Sequence, residues 1–148
     1  MSGISHLARR TWLSIVDRRC SEPDLVMVRG ILDSNELSLW ERMQSVDQRH
    51  SIRVLKRFEE LLPSATRAER AVVLLHDVGK SVSRLGTLAR IGATLGVLRS
   101  HRALQYRNHE RLGVELASGS GVNGDVLEMM RGHSRAEFMS AFARADDE

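Results

Sequence analysis

A single cysteine, Cys20, excludes an intrachain disulfide and any thiolate-rich metal site. Whatever ion this protein holds must be bound through nitrogen and oxygen. Proline occurs only at positions 23 and 63, and strand-like alternation of apolar and polar residues is rare. Long apolar runs are also missing: the longest segments are 71–75 and 85–98, the second broken by Arg90, whereas a bilayer span needs roughly 20 residues. The first ten residues place their arginines after the first apolar positions, with no continuous apolar stretch behind them, which argues against a secretory signal. A cytoplasmic protein with no membrane contact is the expectation. Lysine is restricted to Lys56 and Lys80, so the basic residues are nearly all arginine. The 22 basic and 19 acidic residues leave a net charge of +3 with no arginine block longer than two, too mild a bias for a nucleic acid partner.

What is present reads as helix. A chain of 148 residues, 42% hydrophobic, is long enough for one domain with a real core and too short for two ordinary ones. Apolar positions recur every three to four residues and predict an all-α domain, with helices at about 4–19, 24–31, 35–44, 46–62, 66–78, 86–99, 102–118, 124–133 and 135–146. Thr66-Arg67-Ala68-Glu69 is a capping box, in which two side chains satisfy free amides at a helix start. The small residues of 118–124 mark a loop. Gly92 and Gly96 have the spacing of a close helix-packing stripe, and no internal repeat or low-complexity segment occurs.

Polar chemistry gathers around His76-Asp77-Val78-Gly79-Lys80, which follows the apolar run 71–75. His76 follows Val72 by four positions and Asp77 follows Val73 by four, so both continue a buried face. His50 continues the line of Val46, Val54, Phe58 and Leu61; His109 shares a stripe with Leu112, Gly113 and Leu116; His133 stands in the same relation to Val126, Met129 and Met130. Each imidazole alone reads as a core histidine bonded to a carbonyl or carboxylate. Together they call for a common partner, because buried nitrogen and oxygen atoms left unpaired are costly, and a divalent cation satisfies several at once. Asp146 continues Phe138 and Phe142 at fourfold spacing, which leaves two readings open: an inward ligand or part of a solvated acidic terminus. His6 and His101 lack the pattern and are assigned to the surface.

The order of His50, then His76-Asp77, then a late Asp resembles the HD superfamily of metal-dependent phosphohydrolases over about residues 46–147. The string 76–80 matches that family's His-Asp-x-Gly-Lys, Asp47-Gln48-Arg49-His50-Ser51 is similar to its first-histidine motif, and Ala145-Asp146 to its terminal Ala-Asp. The whole chain resembles small bacterial members that carry Leu-Gly-Thr-x-x-Arg after the HD motif, here at 85–90. The resemblance implies a single compact helical bundle with a metal site in its core, residues 1–45 forming an N-terminal helical extension packed on it. It implies one divalent ion (Mn, Fe, Co, Ni or Zn) held by His50, His76, Asp77 and Asp146, and a second held by His109 and His133 with Asp77 bridging. Glu110 stands where proline is usual, Ser134 where a second histidine is common, and no Gly-Tyr-Pro follows, which argues against cyclic dinucleotide hydrolysis. The expected activity is hydrolysis of a small phosphorylated, nucleotide-like substrate by metal-activated water, with Asp77 and Lys80 catalytic and Lys80 and Arg84 on the phosphate. The alternative is a metal-binding HD domain with a regulatory or scaffold role and no turnover.

Overall fold

Side chains that accept from free backbone amides set most of the helix starts. The computed structural model describes residues 19–81 and 102–147, with side chains described for 19–80 and 110–147. Helix α1 (Glu22–Ile31) starts at Ser21, α2 (Ser34–Glu41) at Asp33, α4 (Arg67–Leu75) at Thr66 and α6 (Gly124–Met130) at Asn123, each capped by its own side-chain oxygen. The remaining elements are α3 (Ser45–Leu61), a 3-10 turn (Val78–Ser81), α5 (Arg102–Gly119) and α7 (Ala136–Asp146). Among the described residues there is no strand, so the all-α expectation holds. None of these helices is long and apolar enough to cross a membrane.

Helix α4 lies at the centre. Residues 71–75 are buried without a break, so no face of its last turns meets water, and α1, α2, α3 and α6 all pack on it. Helix α7 lies along α3, while α5 packs against the 3-10 turn that follows α4. The core between them contains Trp40, Leu55, Phe58, Leu74, Val126 and Phe138, each at most 2% exposed. Trp40 brings a polar handle inside and satisfies it, donating from Nε1 to Ser51 Oγ at 3.1 Å.

Two buried glutamates tie the helices together by the same device. Glu36 and Glu69 each occupy the third position of a capping box, so each already accepts from a backbone amide at a helix start. Each is also gripped by a forked arginine from elsewhere in the fold. Arg67 reaches both oxygens of Glu36 at 2.7 and 3.3 Å, and Arg135, the residue before α7, reaches both oxygens of Glu69 at 2.5 and 3.0 Å. The Arg135 guanidinium, more than the backbone and side chain of Thr66, holds the Glu69 carboxyl below the usual carboxylate range against the opposing effect of burial. Removing the arginine leaves the buried charge with Thr66 alone. Arg135→Ala is therefore expected to lower the midpoint of urea unfolding, by less than the loss of a fully buried pair would because the guanidinium is part-exposed. Arg135→Lys should restore only part of this, since an ammonium cannot fork.

Three helix ends fall three residues earlier than the periodicity predicts, the first being α2 at Glu41 instead of position 44. Helix α4 stops at Leu75 instead of position 78, and the chain tightens into the 3-10 turn. Helix α6 stops at Met130 instead of position 133 because Gly132 adopts φ +94°. The Gly132 amide then donates to Met129 O at 3.0 Å and the His133 amide to Glu128 O at 3.1 Å, the paired bonds of a Schellman motif. The helices expected at 4–19 and 86–99, with the Gly92 and Gly96 stripe, lie outside the described residues.

Candidate metal centre

Three helices bring the polar residues of the core to one place. His50 projects from the first half of α3, His76 caps the end of α4 with Asp77 directly after it, and Asp146 is the last residue of α7. Among the described residues, His50, His76 and Asp77 each offer a ligand atom, all within 4.8 Å of one another. His50 Nε2 lies 4.0 Å and His76 Nε2 3.6 Å from the same oxygen, Asp77 Oδ2. Asp146 closes the group from the other side. Its Oδ1 lies 3.1 Å from His50 Nε2 and 3.5 Å from His76 Nε2.

The tautomer of neutral His76 is fixed by its surroundings. Its Nδ1 is 2.7 Å from the carbonyl of Val73, which can only accept, so Nδ1 carries the proton and the neutral ring presents a bare lone pair at Nε2. That Nε2 is buried and has no hydrogen-bond partner. The ring plane is held by Phe142, which meets it edge-on at 5.3 Å and is itself stacked on Phe138; on the other side the His50 ring lies at 5.5 Å. A buried imidazole whose far nitrogen is anchored to a carbonyl and whose near nitrogen lacks a partner, set among two carboxylates and a second imidazole, suits a divalent cation. The donors are nitrogen and oxygen only, as the lone cysteine requires.

The charges around the site point the same way. Burial opposes protonation of His76, but the Asp146 and Asp77 carboxylates and the Val73 carbonyl outweigh it and hold its pKa above the ordinary imidazole value. His50 first, then His76, keep the Asp146 carboxyl well below the usual carboxylate range. The negative field at Nε2 that favours a proton on His76 favours a dication more.

The site forms the floor of a cleft of about 480 Å³. Its walls include Met129, Met130, Met139 and Phe142, with Lys80, Glu110 and Arg131 contributing charge. Lys80 does not stand apart from the metal-type ligands: its Nζ donates to Asp77 Oδ2 at 2.7 Å. The methionines and Arg131 of the wall did not emerge from the sequence as site residues, although the adjacent Met129-Met130-Arg131 at a helix end was a visible signal.

The sequence expectations for the remaining residues fare differently. His133 does not face inward. Because Gly132 ends α6, the residue leaves the helical register that related it to Val126 and Met129, and its ring is 71% exposed and bonded to Glu128 Oε2 at 2.7 Å. The His109 side chain and Arg84 lie outside the described residues. Gly113, on the same helix as His109, runs against the backbone of Gly79 and the side chain of Val78, so α5 does border the HD segment.

Comparison with known families agrees with this geometry. The family model of the HD domain matches residues 48–146, which take in the positions of all four converging side chains. The chain belongs to the HD domain family. No curated protein and no solved structure matches it significantly. HD domains bind divalent metals and belong to a superfamily of metal-dependent phosphohydrolases, and the His-His-Asp group described above is a possible metal site of that kind.

Proposed function

We propose that this HD protein is a cytoplasmic metal-dependent phosphohydrolase that hydrolyses a phosphomonoester or phosphodiester of a nucleotide-like compound. The observation that carries the reading is the unpaired, buried Nε2 of His76 facing His50, Asp77 and Asp146 on the floor of a cleft. In this reading those four residues hold one divalent ion. Such an ion supplies the Lewis acidity that lowers the pKa of water and polarises a phosphoryl oxygen. The chain's own residues then do the positioning. The Val73 carbonyl keeps His76 in one tautomer, Phe142 fixes its ring, and the two carboxylates bring the negative charge that holds the cation. Lys80 neutralises charge on the substrate phosphate. The methionine and phenylalanine wall suits the flat, polarizable face of a base, since thioethers adapt to aromatic surfaces. His133, turned outward, has no part in this arrangement.

Metal analysis of the purified protein followed by a panel of mononucleotides, dinucleotides and small phosphomonoesters, each with Mn²⁺, Fe²⁺, Co²⁺, Ni²⁺ and Zn²⁺, tests the reading. Phosphate release that requires both an ion and Asp77 is the expected result. Stoichiometric metal binding with no turnover across the whole panel would instead favour a regulatory metal-binding domain.

A further inference from the structure

Asp77 Oδ2 faces both imidazole nitrogens, 4.0 Å from His50 Nε2 and 3.6 Å from His76 Nε2, and it is also the oxygen that accepts from Lys80 Nζ at 2.7 Å. The Asp77 side chain is 9% exposed and that of Lys80 37% exposed. A carboxylate so deeply buried needs a positive partner, and the ammonium provides one. We propose that Lys80 and the divalent ion compete for Asp77 Oδ2, so that loading the site frees the ammonium into the cleft where the substrate phosphate is bound. The inference rests on the metal-site reading above and goes beyond it by making one side chain serve both the unloaded and the loaded protein.

Three features support the exchange. One carboxylate charge cannot fully compensate an ammonium and a dication that share its oxygen, so the two cations repel each other across it. The part-exposed Lys80 side chain lines the cleft on a flexible four-carbon stem, so its head has somewhere to go. The 3-10 turn places Lys80 three residues after Asp77, close enough for the contact without making it part of a helical ladder. In this scheme the cation that acts on phosphate is delivered only to a loaded site. An unloaded site keeps it occupied.

The chain's only two lysines make the test direct. Lys56 forms an ion pair of the same length with Asp24, 2.7 Å, far along α3, and serves as an internal control. Wild-type protein is titrated with Mn²⁺ to establish binding, then treated with an amine-acetylating reagent with and without saturating Mn²⁺, and the two lysines are followed by peptide mass spectrometry. Lys80 acetylation is expected to rise at least about fivefold on loading while Lys56 is unchanged. Lys80→Met should bind Mn²⁺ about tenfold more tightly than wild type, since it removes the competing charge, whereas a merely supporting lysine would weaken binding when lost. If Mn²⁺ binds and the Lys80 rate stays level or falls, competition is overturned while the metal site stands. If wild-type protein takes up no Mn²⁺, Zn²⁺ or Fe²⁺, the metal reading and this inference fall together.

Discussion

Asp77→Ala is expected to weaken divalent metal binding by at least about 100-fold and to abolish metal-dependent phosphate release. Asp77 Oδ2 faces both His50 Nε2 and His76 Nε2, and although Asp146 Oδ1 does so from the other side, Asp77 is the more deeply buried of the two carboxylates. Even a residue that only supports a ligand is typically worth 10–100-fold in affinity or activity, so loss of a direct ligand should exceed that range. The fold should survive the change. The alanine removes a buried charge together with the need to pair it, and Lys80, already part-exposed, can turn to water. Isothermal titration with Mn²⁺ beside a urea unfolding curve separates the two effects: lost affinity with near-normal stability is the expected pair. Unchanged affinity would remove Asp77 from the site.

The second large effect is a reversal of pH dependence on metal loading. In the metal-free protein His76 has a raised pKa, so its contribution to stability is fully present below the ordinary imidazole value and is lost as pH rises through the raised one. Asp146 has a depressed pKa, so its contribution is present above the ordinary carboxylate value and is lost as pH falls through the depressed one. The metal-free protein should accordingly be most stable between about pH 4 and about pH 6.5, the ordinary values for Asp and His. A metal ion needs the bare Nε2 and must displace the proton from His76, so its affinity should fall about tenfold per pH unit below the His76 pKa. Saturating Mn²⁺ should therefore move the pH of highest Tm upward, past the ordinary imidazole value. Scanning calorimetry from pH 4 to pH 8.5, with and without the ion, reads this directly; an optimum that stays on the acid side with bound ion would contradict it.

The parts of the site carried by regular helices were legible in the sequence, and the parts that depend on where a helix stops were not. His50, His76 and Asp146 sit on continuous 3.6-residue ladders, and for His50 and His76 the fourfold spacing from Val54 and Val72 was enough to say which way each points. For Asp146 the spacing left a solvated terminus equally open, and its proximity to both imidazoles in the folded chain is what distinguishes the two. The inward reading of His133 failed because Gly132, with its positive φ, ends the helix at Met130, and spacing counted across a helix end carries no direction. The Arg-Gly pair at 131–132 was the available signal for that stop. The pairing of Lys80 with Asp77 depends on the tight turn after α4, which the periodicity extended as helix. The arginine forks on Glu36 and Glu69 span 31 and 66 residues, and no local pattern links residues so far apart. The capping boxes that place those glutamates carry a local signal, Thr66 before Glu69 and Asp33 before Glu36.

The central claim is that side chains from three helices hold one cation, and anomalous diffraction from crystals soaked in Mn²⁺ tests it most directly. A single strong manganese peak within bonding reach of His50 Nε2, His76 Nε2, Asp77 Oδ2 and Asp146 Oδ1 is the predicted result, at roughly 2.0–2.2 Å for the nitrogen and oxygen ligands. No peak among these four side chains, or a peak held only by Glu128 and His133 at the surface, would contradict it.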